Sequence, residues 1–319
     1  MRAQSSLMQP AGVLAGLGGS LVALATPFRA ERLDLEALAL MSERQIQRGS
    51  SALVVCGSTG EAASLSGNEH AEVVAAAVEA TAGRIPVIAG CSALSTEAAA
   101  TLARAAARAG AAALLCAPPP YVRPTQDGIT AHIYTIARAA ARPIMLYDVP
   151  GRVGVGVADE IVARLFERGL IGAIKDAAGD LSRPARLRSF CGEELTQLSG
   201  DDATAPAHRA MGGHGCVSVT ANLVPALCAQ LHQAWDRGDL TAFGRTRDRL
   251  TPLNQALFLE SNPIPLKAAL CMLGLCSDEL RLPLTRAGKA AQKRLAYVLA
   301  EITQSENEIA ARPRLALVR

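Results

Sequence analysis

Leu170-Ile171-Gly172-Ala173-Ile174-Lys175 is a short apolar run that stops abruptly at a charge. Bounded runs of this length read as strands buried on both faces. The same kind of run recurs at 21–25, 52–55, 86–89, 112–116, 144–147, 195–199 and 215–219, which with 171–175 makes eight. Helical periodicity fills the gaps at 33–48, 69–82, 96–109, 126–139, 158–166, 183–190 and 203–211. Continuous apolar strands separated by helices indicate a parallel sheet covered by helices, and eight of them predict an α/β fold of the (β/α)8 TIM barrel type. A doubly wound open sheet is the alternative, but no Gly-x-Gly-x-x-Gly turn follows the first run. Four more helical segments lie between 223 and 304, more than a barrel needs. The division expected is a flexible leader over 1–18, a barrel over 19–237 and a C-terminal helical region over 238–319.

The 319 residues are 50% hydrophobic but only 3% aromatic, so the core has to be built from Ala, Leu, Val and Ile. A net charge of +3 without a basic patch interleaved with aromatics argues against a nucleic-acid partner. Arg312, Arg314 and Arg319 form a weakly basic tail that reads as a solvated end. None of the eight cysteines sits in a Cys-x-x-Cys pair or at zinc spacing with histidine, so reduced thiols are expected and no metal or cofactor is. Ser66 and Val74 stand one turn either side of His70, which removes the second ligand a metal-binding helix needs. No stretch reaches the roughly 18 apolar residues of a membrane span, and the N-terminus lacks a signal-peptide core. These features read as a soluble cytoplasmic protein with no membrane partner.

Active sites of such barrels lie at the C-terminal ends of the strands. Polar groups gather there: Gly57-Ser58-Thr59-Gly60-Glu61 after the second run, Tyr121 after the fourth, Tyr147 on the fifth, Lys175 on the sixth and Gly200-Asp201-Asp202 after the seventh. Only four of the 32 basic residues are lysines: Lys175, Lys267, Lys289 and Lys293. An arginine cannot form an imine, whereas a desolvated lysine amine can condense with a ketone and turn it into an electron sink. Lys175 at the end of a buried strand is therefore a candidate nucleophile, although a lysine snorkelling to water fits the same position. Tyr147 on the neighbouring strand is placed to carry a proton, with Ser58 and Tyr121 as relay hydroxyls. Each tyrosine equally suits a half-buried ring, and the Gly57–Gly60 stretch a plain tight turn. Hydroxyls and amides around Ser58 and Thr59 offer an anion nest, and Arg152 a bidentate partner for a second carboxylate or a solvated loop cation.

Taken together these motifs identify a resemblance. Gly57–Glu61, Arg84-Ile-Pro-Val-Ile-Ala-Gly90, Tyr147-Asp-Val-Pro-Gly-Arg152, Ile174-Lys-Asp-Ala-Ala-Gly-Asp180, Ser199-Gly-Asp-Asp202, Gly212-Gly-His-Gly-Cys-Val-Ser-Val-Thr-Ala-Asn222 and Asn262-Pro-Ile-Pro-Leu-Lys267 occur in one order. The chain resembles the dihydrodipicolinate synthase and N-acetylneuraminate lyase family of pyruvate-dependent class I aldolases from about residue 19 to residue 284. The resemblance implies that Lys175 forms a Schiff base with pyruvate, and that Tyr147, Ser58 and Tyr121 relay protons, Tyr121 reaching into a neighbouring subunit. It also implies that Thr59 holds the pyruvate carboxylate, Arg152 the carboxylate of an incoming aldehyde, and that Gly200 and Val217 lie against bound pyruvate. Arg152 looks like the synthase branch, whose reaction condenses pyruvate with L-aspartate-4-semialdehyde to 4-hydroxytetrahydrodipicolinate, toward diaminopimelate and lysine. A homotetramer of two tight dimers is implied as well.

Several positions depart from the family pattern. Ser58 stands where the synthases usually have threonine, Asp148 replaces a usual asparagine, and Pro120 a tyrosine. The polar set of the family's lysine-inhibition pocket is missing at Gly67, Leu94, Ala98 and Pro120, and only His70 matches, so lysine is expected to inhibit weakly or not at all. A paralogous aldolase, dehydratase or deaminase acting on a 2-keto-3-deoxy sugar acid or related 2-oxo acid is the second reading. A non-catalytic barrel scaffold is a third.

Overall fold

A computed structural model describes residues 12–311. Eight parallel strands close into a barrel: β1 (Gly19–Ala23), β2 (Ala52–Val55), β3 (Val87–Gly90), β4 (Ala113–Cys116), β5 (Ile144–Asp148), β6 (Ala173–Asp176), β7 (Thr196–Ser199) and β8 (Gly215–Ser218). Each strand pairs with its sequence neighbours, and β8 returns to β1 through Leu21 opposite Val217. The open-sheet alternative is thereby excluded. The connecting helices are α1 (Leu35–Gln47), α2 (Gly67–Thr81), α3 (Thr96–Arg108), α4 (Gln126–Ala140), α5 (Asp159–Glu167), α6 (Arg183–Cys191), α7 (Ala205–Ala210) and α8 (Pro225–Asp236). Three more follow: α9 (Leu240–Ala256), α10 (Ile264–Met272) and α11 (Lys289–Ala310).

Local chemistry explains where these elements begin. Asp34, Ser66, Ser95 and Thr125 cap α1 to α4 by accepting a backbone N–H three residues on, and Ser66 with Glu69 completes a capping box. Helix α7 starts two residues later than its apolar pattern suggests. Asp201 accepts from the Ala203 amide (3.2 Å) and the Thr204 hydroxyl (2.7 Å), which holds those residues in a turn.

Strand alternation sorts the barrel into two apolar populations. Leu21, Ala23, Val54, Ile88, Leu115, Met145, Tyr147, Ala173, Leu198 and Val217 form one buried cluster. Leu53, Val55, Leu114, Leu146 and Ile174 form the other, with the helix faces. The first lines the barrel interior and the second lies between sheet and helices. Because β5 and β6 pair with Tyr147 opposite Lys175, the alternation turns both side chains inward, while Asp148 opposite Asp176 turns outward.

Residues 12–18 of the stretch expected as a flexible leader lie within the described residues. Residues 12–14 form a short 3-10 helix, Leu14 is fully buried in the interior cluster, and its carbonyl accepts from the Thr196 hydroxyl (2.7 Å). Leu14 plugs the N-terminal end of the barrel, where an open ring of strands would otherwise admit water to apolar side chains. Earlier leader residues and the arginine-rich tail from Arg312 lie outside the described residues. No helix among the described residues is long and apolar enough to cross a membrane.

Candidate active site

Lys175 is 5% exposed, and its Nζ lies 4.3 Å from the centre of the Tyr147 ring. Among the described residues the amine makes no hydrogen bond and no ion pair. The next strand keeps the space beside it open. A Cβ on Gly200 would stand 2.9 Å from the Ala177 Cβ and 3.2 Å from the Lys175 Cε, so a larger residue would push into the lysine stem. The Gly200 amide donates to the Asp176 carbonyl (2.6 Å), which ties this turn to the lysine strand. Val217 is buried inside the barrel and completes the wall.

The turn after β2 is built tightly. Its backbone enters and leaves through left-handed residues, Cys56 and Glu61 (both φ 53°), which non-glycine residues adopt only with support. Gly60 sits where a Cβ would meet the Cys56 amide and the Leu24 carbonyl at 3.1 Å. This turn presents Ser58, half-buried, and Thr59, buried.

The C-terminal helical region holds that turn, which the sequence reading did not anticipate. Asn262 Nδ2 donates to the Thr59 hydroxyl (2.9 Å), and the Asn262 carbonyl accepts from Arg152 Nη2 (3.2 Å). One buried residue thus bridges the two side chains expected to bind carboxylates. Lys267 is 0% exposed and pairs with Glu61 (Nζ to Oε1 3.1 Å). It also donates to the Glu279 carbonyl (2.8 Å) and lies 4.5 Å over the Phe28 ring. The Arg281 amide donates to the other Glu61 oxygen (3.1 Å). The only advance signal for these contacts is the Asn262–Lys267 motif itself, to which sequence spacing assigns no role.

Tyr121 makes no hydrogen bond with Lys175 among the described residues. It is 91% exposed on the loop after β4, with a left-handed backbone (φ 75°). The hydroxyls of Tyr147, Ser58 and Tyr121 make no hydrogen bonds among the described residues, so one subunit does not join them into a relay. Asp148 points away from the barrel interior toward Arg183 on α6 (2.6 Å), so its departure from asparagine leaves the surface facing Lys175 unchanged.

His70 Nε2 hydrogen-bonds the Gly90 carbonyl (2.7 Å) and His132 Nδ1 the Thr96 hydroxyl (2.9 Å). All eight cysteines are free, and burial pushes the Cys56 thiol well up and Cys116 to about 12. No group of three His, Cys, Asp or Glu among the described residues is arranged to hold a metal ion. A cavity of about 410 Å³ lined by Ser20, Arg209, His214, His232 and Asp236 opens at the opposite, N-terminal end of the barrel.

Residues 16–302 match the model of the dihydrodipicolinate synthetase family. The chain is 47% identical to a 4-hydroxy-tetrahydrodipicolinate synthase of Rhodospirillum centenum over 86% of its own length and 94% of that protein. It is 45% identical to the enzyme of the same name from Rhizobium meliloti, covering 87% and 95%. Its fold is similar to the crystal structure of dihydrodipicolinate synthase from Aquifex aeolicus, with a TM-score of 0.87 and 36% identity over 90% of this chain and 98% of that one.

Proposed function

We propose, for a chain that belongs to the dihydrodipicolinate synthetase family, a Schiff-base lyase that condenses pyruvate with L-aspartate-4-semialdehyde to 4-hydroxytetrahydrodipicolinate. One observation carries the reading. The Lys175 amine is buried inside the barrel beside Tyr147 and, among the described residues, is engaged by no carboxylate or carbonyl, whereas the amine of Lys267 is held by the Glu61 carboxylate and the Glu279 carbonyl.

Lys175 Nζ attacks the pyruvate carbonyl carbon, and loss of water leaves an iminium. Removal of a methyl proton gives an enamine, whose carbon attacks the aldehyde. The resulting alkoxide takes up a proton, and the substrate's own amine then displaces Lys175 as the ring closes. Tyr147 is the proton carrier, with Ser58 and with Tyr121 supplied by a second subunit. The exposure of Tyr121 supports that use in trans, and a homotetramer of two dimers is the assembly proposed. Thr59 and the amides of its turn take the pyruvate carboxylate, Arg152 takes that of the aldehyde, and Gly200 and Val217 flank the adduct.

Borohydride reduction in the presence of pyruvate, followed by peptide mass mapping, tests the imine. The adduct is expected on the peptide containing Lys175 and is absent from Lys175→Ala. An assay with aspartate semialdehyde tests the acceptor, and an adduct without turnover would favour a paralogous aldolase over the synthase.

A further inference from the structure

The outer wall of the barrel behind the reactive pair carries charge where packing against helices normally calls for apolar side chains. Asp148 and Asp176 follow Tyr147 and Lys175, pair opposite each other in the ladder, and are both buried. Arg183 of α6, also buried, reaches both: its Nη1 lies 2.6 Å from Asp148 Oδ2 and 3.3 Å from Asp176 Oδ1. Its Nε donates to Asp159 Oδ1 (2.8 Å) and its Nη2 to the Val157 carbonyl (2.6 Å). Asp148 Oδ2 also accepts from the Val157 amide (3.1 Å), and Asp176 Oδ1 from the Ala178 amide (2.9 Å). Val157 is therefore gripped through both backbone groups. The segment between Asp148 and Val157, which carries Arg152, is closed at its base by this cluster.

Burying these charges costs free energy that apolar residues would not. Burial pushes the Asp148 carboxyl up against the pull of Arg183. Burial alone would lower Arg183, but Asp176 and Asp148 more than reverse it. What the cluster provides is direction. One guanidinium ties two strand ends and a loop base together through directional hydrogen bonds, which non-directional apolar packing does not.

We infer that Asp148 and Arg183 are positioning residues: from behind the barrel wall they hold Tyr147 and Lys175 at their mutual height and fix the base of the segment that aims Arg152. The catalytic part of this inference rests on the function proposed above, since it assigns Lys175 the imine.

The test compares Asp148→Ala with Asp148→Asn in the full chain. The carboxamide oxygen of Asp148→Asn still accepts from Val157 and Arg183, so this variant recovers most of what Asp148→Ala loses. In Asp148→Ala, the borohydride-trapped pyruvate adduct is expected to form about ten- to a hundredfold more slowly, as a misplacement of about an ångström would produce. The KM for the aldehyde is expected to rise with it, and amide hydrogen exchange at Val157 to quicken. A lowered melting temperature with unchanged trapping rate and unchanged exchange overturns the inference. Absence of any adduct in the wild type would instead overturn the proposed function, while exchange at Val157 in the two variants still decides the positioning role. Should Asp148→Ala not fold, Arg183→Lys, which keeps the charge but loses the fork, carries the same readouts.

Discussion

Lys175 and Lys267 are both buried, and their surroundings differ. Lys267 is saturated by Glu61, the Glu279 carbonyl and the Phe28 ring. Among the described residues, the Lys175 amine has no such carboxylate or carbonyl and lies beside the Tyr147 ring. Tyr147→Phe keeps that ring and removes the hydroxyl, so the adduct should still form while turnover falls by about 10²–10⁴-fold, the usual worth of a positioned acid–base group. Steady-state kinetics alongside borohydride trapping separates the two effects. Equal loss of trapping and turnover would mean that the hydroxyl is already needed to form the imine.

At the scale of elements, the turn after β2 depends on a partner more than two hundred residues away. Its left-handed Glu61 is held by Lys267 of α10 and the Arg281 amide, and its Thr59 by Asn262 just before α10. Removing one member of a buried ion pair strands the other. Lys267→Met should therefore destabilise the fold by about 3–5 kcal/mol, measured by urea denaturation. Asn262→Ala should leave the fold nearly intact and raise KM for pyruvate through Thr59. The C-terminal helical region thus holds the turn that carries Thr59.

For the whole molecule, burial pushes His132 and His208 down to about 4 and His232 to about 3. Below about pH 6.5 the unfolded chain protonates these histidines while the folded one does not, so their contribution to stability is complete above that pH. It is lost toward pH 4 at about 1.4 kcal/mol per pH unit for each histidine. Asp148 and Asp202, pushed up by burial, act in the opposite sense. His232→Leu should flatten the acid slope of stability by one histidine's share, and an unchanged slope would refute that assignment. The proposed assembly makes a sharper prediction. If Tyr121 serves a neighbouring subunit, inactive Lys175→Ala and Tyr121→Ala chains co-expressed at equal levels should regain activity at about a quarter of the sites, as an isologous pair allows. Lysine at millimolar concentration should leave the enzyme active, because Gly67, Leu94, Ala98 and Pro120 offer its ammonium no carboxylate.

The amino-acid sequence by itself determined the barrel, because eight apolar runs alternating with helical periodicity carry their burial in their composition. It also placed Tyr147 and Lys175 at strand ends, since a lone lysine or tyrosine closing an apolar run is visible in one dimension. Strand register is not. Only the closed barrel set Tyr147 opposite Lys175, turned Asp148 and Asp176 outward onto Arg183, and brought Asn262 and Lys267 to the turn carrying Thr59. Those contacts span up to about two hundred residues and rest on hydrogen bonds between buried groups, which have no periodic signature. The leader shows the same divide. Leu14 reads as one apolar residue in a Gly- and Ala-rich stretch, and becomes the plug of the barrel only because the strands leave an apolar opening that water must not enter.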